Sequence, residues 1–195
     1  TGYKYLMDVI EWTKYIYPGK EFAYSTSLNF DHKQLLYASV NVSPKLGIFR
    51  PTWGFYYKQQ FFDTRKYGAS KALSRPLLLC LLDNNFALSE TMNAAISLNA
   101  ATPNADGFLM MKSNYSVDLR FDKSFANRTW IIYLSANDIF KTSKERWTKY
   151  GLGAGSTKDC YNYTRSISLQ VTYNFNAKRS KYKGTGAGNE EKSRL

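Results

Sequence analysis

Apolar and polar residues alternate one by one along much of this chain, and that alternation limits its possible folds more than any other feature. Between positions 108 and 122, Val117, Leu119 and Phe121 share one parity, while Asp118 and Arg120 share the other. A period of two is typical of a β-strand with two different faces, whereas an amphipathic helix repeats every 3.6 residues. The pattern therefore predicts strands, and it recurs from Arg165 to Asn176.

Eight segments carry the alternation clearly or weakly, and no segment has the apolar spacing of a helix that could cross between parallel strands. The sheet should therefore be antiparallel. The predicted strands lie at about 3–9, 36–42, 53–61, 78–88, 92–98, 108–122, 130–136 and 165–176. Short connections are predicted at 46–51, 89–91 and 124–128, and longer or more polar ones at 13–33, 64–74, 103–107 and 140–162. One end of the sheet is thus expected to have tight turns and the other to have long loops.

Two architectures are compatible with this alternation. A soluble barrel or sandwich buries the apolar side chains of each strand. A membrane barrel turns those side chains to lipid and encloses the polar ones. Strands of about 9 to 11 residues, aromatic residues at strand ends, and a polar parity rich in Asn, Ser, Gln, Asp and Arg favour the membrane barrel. The longest apolar run is seven residues, 76–82, which is too short for a transmembrane helix.

The formal net charge of +12 is concentrated outside the predicted strands. The segments 64–75, 140–160 and 176–195 carry net charges of +4, +3 and +4. Basic loops of this kind could attract anionic head groups of lipopolysaccharide or an anionic solute, or they could simply be solvated. No single face collects the basic residues together with aromatic ones, so no nucleic-acid partner is expected.

The sequence offers little material for catalysis or metal binding. His32, Cys80 and Cys160 are its only imidazole and thiol groups, too few for a structural zinc site. A disulfide between the two cysteines is not expected, because one lies in an apolar run and the other in a polar loop. The glycine-rich stretches at 151–157 and 184–188 do not connect a strand to a helix, so they do not predict a phosphate-binding loop. We therefore expect no enzyme activity, no cofactor and no metal.

Several stretches resemble an outer-membrane β-barrel family that is grouped with the TonB-dependent receptors of Gram-negative bacteria. The resemblance is carried by VTYNF at 171–175, by SKYKGTGAGN at 180–189 and by EKSRL at 191–195. KQQFF at 58–62, SVDLRFDKS at 116–124 and NDIF at 137–140 are similar to the same family, as are the stretch 37–47 with its SPKLG ending and the pair Arg75 and Pro76. The similarity extends over about 36–195.

The resemblance implies a protein of the Gram-negative outer membrane whose full length carries a plug inside a barrel of about 22 strands. This chain would then be the C-terminal part of the barrel, which serves energised uptake of a solute. We expect a fragment or a processed product, because the first residue is Thr1 and no signal-peptide pattern follows it. The implied partners are outer-membrane lipid and lipopolysaccharide, the plug domain and the TonB system through the missing N-terminal part, and the barrel assembly machinery.

We therefore predict an all-β fold, a transmembrane antiparallel up-and-down β-barrel segment over 1–175, followed by a basic periplasmic tail over 176–195. The lipid-facing candidates are Leu109, Val117, Leu119, Ile132, Leu134, Ile167, Leu169 and Val171. The lumen-facing candidates are Lys112, Asn114, Asp118, Arg120, Gln170 and Thr172. Tyr173 and Phe175 resemble the closing-strand signal read by the assembly machinery, although 20 residues follow Phe175 here.

Two other functions are compatible with the residues alone. A complete small barrel could act as an adhesin or a structural anchor, and a soluble basic β module could bind polyanions. A plug and a TonB-contact segment encoded upstream of Thr1 would distinguish the transporter from the anchor.

Overall fold

The computed structural model describes residues 1–16, 19–67, 73–153 and 155–175, and their regular structure is almost entirely β. The predicted C-terminal tail lies outside the described residues. One short 3-10 helix spans Thr64–Tyr67. The strands are β1 Gly2–Ile16, β2 Ala23–Val42, β3 Phe49–Phe61, β4 Leu77–Ser89, β5 Met92–Ala101, β6 Asn104–Asp106, β7 Leu109–Met111, β8 Asn114–Phe125, β9 Trp130–Asn137, β10 Lys144–Tyr150, β11 Gly155–Tyr161 and β12 Ser166–Tyr173. Within the described ranges, no helix has the length and apolar character needed to cross a membrane.

Eight of these strands form one antiparallel sheet in the order β1-β2-β3-β4-β5-β8-β9-β12. The order follows the chain, so each strand pairs with its nearest predecessor in the sheet. The sheet does not close. Within the described residues β1 pairs with no strand except β2, and β12 with none except β9; the other edge of β1 carries one parallel bridge, between Tyr15 and Leu152. The prediction of an antiparallel up-and-down sheet of about eight strands is confirmed.

The turns at one end of this sheet are tight, as predicted. Gly47 adopts a φ of +63° between β2 and β3, a conformation that costs glycine little because it has no Cβ. Ala126, Asn127 and Arg128 have φ values of +47°, +55° and +69° between β8 and β9. Only two residues, Glu90 and Thr91, separate β4 from β5. These short turns fix which strands are neighbours.

The other end of the sheet differs from the prediction, because its long connections contain strands of their own. The predicted loop 13–33 is mostly strand, with β1 extending to Ile16 and β2 beginning at Ala23. The predicted loop 140–162 holds β10 and β11. The predicted single strand 108–122 is interrupted at Lys112 and Ser113, so Leu109 belongs to β7. These short strands form because they pair with one another in a second sheet, in the order β11-β10-β7-β6.

The register gives the large sheet two chemically different faces, because residues directly opposite in an antiparallel ladder lie on the same side. Leu119 lies opposite Ile96 and Ala136, and this side is called the apolar face. Ser97 lies between Asp83 and Asp118, and this side is called the polar face. Large side chains on the apolar face are exposed over most of the sheet; they include Val40, Phe55, Ile96, Leu119, Leu134, Ile167 and Leu169.

Candidate functional site

The long-loop end of the sheet carries a compact structure that we call the loop cap. It consists of the second sheet, β6, β7, β10 and β11, together with the described part of the connection between β3 and β4, 62–67 and 73–76. The cap encloses a hydrophobic cluster formed by Phe30, Phe62, Leu73, Ala105 and Phe108. The core cluster of the described residues thus lies under the loops rather than on either face of the large sheet.

Three aromatic rings organise this cluster. Phe30 of β2, Phe62 after β3 and Phe108 between β6 and β7 have ring centroids 5.3 to 5.7 Å apart, with Phe62 edge-on to both of the others. Edge-to-face contacts at such distances add to the gain from burial itself. The rings therefore join β2 and two separate connections of the sheet into one body.

Gln60, at the end of β3, attaches the β6–β7 hairpin to the sheet. Its amide nitrogen donates to the carbonyl oxygen of Gly107 at 3.2 Å, and its amide oxygen accepts from the Gly107 nitrogen at 2.8 Å. The same amide nitrogen also donates to the carbonyl oxygen of Leu73. Gly107 has a φ of +54°, and a Cβ there would lie 2.5 Å from Oε2 of Glu11. The backbone conformation therefore favours glycine here, and a Cβ would in addition displace the Glu11 carboxylate from its present position.

A cluster of four charged residues lies beside Gly107. Nζ of Lys33 lies 2.7 Å from Glu11 and 3.4 Å from Asp106, and Nζ of Lys58 lies 2.9 Å from the other oxygen of Asp106. The Lys33 side chain is only 7% exposed. Burial raises the pKa of Asp106, but the hydrogen bond from Lys58 and the charges of both lysines outweigh it and leave that pKa below its ordinary value. The ionised cluster therefore ties β6 to β1, β2 and β3.

Asp138 connects the two ends of the β9–β12 connection. Its Oδ1 accepts from the backbone nitrogens of Thr142 and Ser143 at 2.8 and 3.2 Å, and its Oδ2 accepts from the hydroxyl of Thr164 at 2.7 Å. Burial raises the pKa of this carboxyl, but these hydrogen bonds and one from Tyr161 lower it further, so the net shift is downward. The side chain is buried and has no cationic partner among the described residues, so the hydrogen bonds stabilise its charge.

The outer hairpin of the cap has its own ion pair. Nζ of Lys158 on β11 lies 2.6 Å from Oε2 of Glu145 on β10. Hydrogen bonds from Lys158, the Trp147 indole and Asn162 lower the pKa of Glu145 to about 2. The same hydrogen bond raises the pKa of Lys158. The pair therefore stays ionised over a wide pH range.

The polar face below the cap is covered by a hydrogen-bonded network. Asp83 accepts from Ser97 at 2.7 Å and from the Asn85 amide at 3.1 Å. The Asn85 oxygen in turn accepts from the guanidinium of Arg120 at 2.9 Å. Asp118 accepts from the Asp138 backbone nitrogen at 2.7 Å and from Asn99, and Asp122 accepts from Asn93 at 2.7 Å. This face presents amides, hydroxyls and carboxylates to any solute beside it.

The predicted site residues fall into four groups. Val117, Leu119, Ile132, Leu134, Ile167, Leu169 and Val171 lie in β8, β9 and β12 on the apolar face. The alternate positions of β8 and β12, on the polar face, hold Asn114, Asp118, Arg120, Gln170 and Thr172. The Asn114 side-chain oxygen also accepts a hydrogen bond from the Lys144 backbone nitrogen at 3.1 Å. Leu109 and Lys112 do not belong to the large sheet, because β7 pairs with β6 and β10. The Tyr173 ring contacts the Trp130 ring in a tilted arrangement with centroids 4.4 Å apart, and Phe175 contacts Tyr173 edge-on at 4.5 Å.

Sequence reasoning missed the charged cluster of Glu11, Lys33, Lys58 and Asp106. Lys33 is the last residue of the predicted connection 13–33, and Asp106 lies in the predicted connection 103–107. Glu11 lies just beyond the predicted strand 3–9, next to the apolar Ile10. Its partner Lys33 is 22 residues away, so no local pattern connects the two. Arg50 was likewise assigned to a turn, whereas the structure places it in β3.

The remaining candidates for chemistry are dispersed. His32 stacks on Tyr5 with ring centroids 5.4 Å apart. Cys80 on β4 and Cys160 on β11 are free thiols. Within the described ranges, no three potential metal-ligating side chains come together. The arrangement is suited to binding a polar solute by hydrogen bonds and charge.

Comparison with known protein families gives one finding for this chain. A family model described as "Outer membrane protein beta-barrel family" matches residues 1–173. The match covers the whole large sheet and the loop cap. A comparison with curated proteins finds no match, and a comparison with solved structures finds none.

Proposed function

Because the chain belongs to the outer membrane protein beta-barrel family, we propose that its large sheet is part of the wall of a TonB-dependent-receptor-like protein that takes up a solute. The family places the chain in the outer membrane of a Gram-negative bacterium. This location leaves no role for a soluble polyanion-binding module. The activity proposed is binding and passage of a solute, in which no covalent bond is made or broken.

In this proposal the apolar face contacts lipid and the polar face lines the lumen. Exposed Leu169 and Val171 would then be covered by hydrocarbon, while Asp118 and Arg120 would contact water, solute or a plug. The loop cap would lie at the outer mouth of the lumen, because long loops of such barrels are extracellular and tight turns periplasmic. Lys141, whose ammonium lies over the Tyr161 ring at 5.2 Å, and the other basic loop residues would face anionic lipopolysaccharide.

The open sheet is the observation that best supports a larger barrel. β1 and β12 each have one edge with no strand partner among the described residues. A lipid-exposed strand edge is not tolerated in a membrane, because each unsatisfied backbone group costs several kcal/mol. The two edges therefore need either further strands, as in a larger barrel that encloses a plug, or each other, as in a small anchor.

Disulfide trapping in whole cells tests this choice. In a Cys80→Ser, Cys160→Ser background, Lys4→Cys on β1 is combined in turn with Ser168→Cys, Gln170→Cys and Thr172→Cys on β12. A disulfide needs Cα atoms within about 7 Å, so these pairs crosslink only if β1 and β12 are neighbours. We expect no crosslink in the native protein, and efficient crosslinking would favour the small anchor instead.

The positive control for trapping is Ser135→Cys with Ser168→Cys, because these residues are paired in the ladder and their hydroxyl oxygens are 2.6 Å apart. Uptake is tested separately with a deletion strain grown on defined nutrients. We expect a growth defect on one nutrient class, and loss of the TonB system should cause the same defect. Normal growth on every nutrient would contradict the transport proposal.

Two further partners belong to the proposal. Tyr173 and Phe175, at the end of β12, would be read by the barrel assembly machinery during insertion. A plug domain would fill the lumen beside the polar face. Assembly is tested by Phe175→Ala, which should reduce the amount of protein in the outer membrane, while an equally exposed residue outside this signal, such as Tyr163→Ala, should not.

A further inference from the structure

Two arginines lie in one row of the polar face. Arg50 on β3 is the ladder partner of Asn85, which is the partner of Ala95, which in turn lies opposite Arg120 on β8. Three inter-strand spacings place the two arginine Cα atoms roughly 14 Å apart. Side chains of one row project to the same side, so both guanidinium groups extend over this strip of the sheet.

The Arg120 side chain extends toward Arg50. Its Nη2 donates to the Asn85 side chain at 2.9 Å, although Asn85 lies two strands away. Ala95 lies between them and is only 3% exposed, because its small side chain is covered by the arginine that crosses it. The Arg120 guanidinium therefore ends beside the direct ladder neighbour of Arg50.

In the described part of the chain, the carboxylates of the polar face form no ion pair with these two arginines. Asp83, Asp118 and Asp122 accept from the neutral side chains Ser97, Asn85, Asn99 and Asn93 or from backbone. Among the described residues, no carboxylate lies within salt-bridge distance of Arg50 or Arg120. Arg50 also has no hydrogen-bond partner in the described part of the chain, and both side chains are exposed.

We propose that Arg50 and Arg120 form an anion-binding site on the polar face, which takes a carboxylate or phosphate group of a solute. A guanidinium presents parallel N–H donors that match two oxygens of such a group. Rings of Arg and Lys select for anions and phosphates in membrane pores by the same chemistry. Asn85 orients Arg120 through its amide oxygen, and the Asn85 nitrogen is held by Asp83.

This inference rests on the proposed function, since a lumen site requires that the polar face contact water. Arginine modification can test the two separately. The native full-length protein in outer-membrane vesicles is treated with p-hydroxyphenylglyoxal, a water-soluble reagent for guanidinium groups. Mass spectrometry then gives the modification rate of each arginine in the presence of citrate, of inorganic phosphate, or of sodium chloride at equal ionic strength.

We expect citrate or phosphate to slow the modification of Arg50 and Arg120 several-fold relative to chloride. Arg128, exposed in the β8–β9 turn, is the matched control and should be unaffected. Arg50→Gln should weaken the apparent citrate affinity measured at Arg120 by about tenfold, the effect of one lost charge-assisted hydrogen bond. Arg128→Gln, which removes the same charge elsewhere, should leave that affinity unchanged.

Two results would overturn the site while leaving the proposed function standing. Arg50 and Arg120 could react at rates that neither anion changes, or Arg50→Gln could leave the citrate affinity at Arg120 as it was. A different result would contradict the lumen assignment itself: both arginines stay unreactive with the water-soluble reagent while Arg128 reacts. The two failures are therefore distinguishable in one experiment.

Discussion

The indole nitrogen of Trp53 donates a 3.0 Å hydrogen bond to the side-chain oxygen of Asn84 on the apolar face of the sheet. The Asn84 nitrogen donates to the carbonyl oxygen of Ile96 at 3.3 Å, so the amide has partners on both sides. In the proposed membrane orientation this amide lies on the lipid side, where no water can replace a lost partner. The pair explains how β4 tolerates an asparagine at an apolar position.

Trp53→Phe removes the donor and leaves the Asn84 oxygen unsatisfied. We expect the free energy of unfolding to fall by about 1–3 kcal/mol beyond the loss of packing, as measured by urea unfolding in lipid vesicles. In an Asn84→Leu background, Trp53→Phe should lower the free energy of unfolding only by the lost packing. A double-mutant cycle then isolates the part that comes from the hydrogen bond. Equal costs in both backgrounds would contradict the role of this hydrogen bond.

Leu119→Arg tests which face contacts lipid. A charge on the lipid face near the bilayer midplane should destabilise the sheet by about 2–4 kcal/mol in vesicle unfolding measurements. Ser97→Arg is the matched control at the neighbouring ladder position on the polar face, between Asp83 and Asp118, and should be tolerated. Similar losses for both variants would argue against the assignment of the faces.

Glu11→Gln removes the closest partner of the buried Lys33. Lys33 then keeps only its longer pair with Asp106, at 3.4 Å, so we expect a loss of roughly 2–3 kcal/mol in the stability of the cap. Hydrogen exchange at the Gly107 amide, which donates to Gln60, should then be about 100-fold faster. Asp63→Asn, which breaks the exposed pair with Arg65, should have little effect on that amide.

Asp138→Ala should loosen the connection between β9 and β12. Two backbone nitrogens and the hydroxyls of Thr142, Thr164 and Tyr161 lose their acceptor, and alanine tolerates the observed φ of +45° less well than aspartate. We expect the local free energy of opening to fall by about 1–3 kcal/mol, as measured by hydrogen exchange at the Thr142 and Ser143 amides. Asp138→Asn keeps one acceptor oxygen and the backbone preference, so its effect should be clearly smaller than that of alanine.

The Glu145–Lys158 pair predicts the pH dependence of the β10–β11 hairpin. Hydrogen bonds lower the pKa of Glu145 from an ordinary 4.5 to about 2. Its contribution to the stability of the hairpin is therefore complete above pH 4.5 and is lost as the pH falls through about 2. The hydrogen bond that Lys158 donates to Glu145 raises the pKa of Lys158 from its ordinary 10.5. Its contribution to the stability of the hairpin is therefore complete below pH 10.5 and lost only at higher pH.

Carbon-13 NMR of the Glu145 carboxyl should therefore show no titration between pH 7 and 4. The Lys158→Met variant loses the hydrogen bond that lowers the pKa of Glu145 most, and the titration midpoint should move up toward pH 4.5. A midpoint near pH 4.5 in the unmodified protein would show that the pair does not persist in solution.

The alternation of residue types was sufficient to predict the eight-stranded antiparallel sheet, the tight-turn end and the two faces of β8, β9 and β12. Side-chain period is a local property, because each strand residue faces opposite to its neighbour whatever the rest of the chain does. Leu119 and Arg120 could therefore be assigned to opposite sides from five or six residues of sequence. The signal is less informative where alternation is weak, as in β4, and at the ends of strands. Arg50 was assigned to a connection but lies in β3.

Only the tertiary structure decided the loop cap, its charged cluster and the row that joins Arg50 to Arg120. Lys33 meets Asp106 across 73 residues, and Arg120 meets Asn85 across 35. Such contacts depend on which strands are neighbours and in what register, and no local pattern encodes that choice. The strands of the cap are short and form only by pairing with each other, so their sequences resemble loops until the whole sheet brings them together.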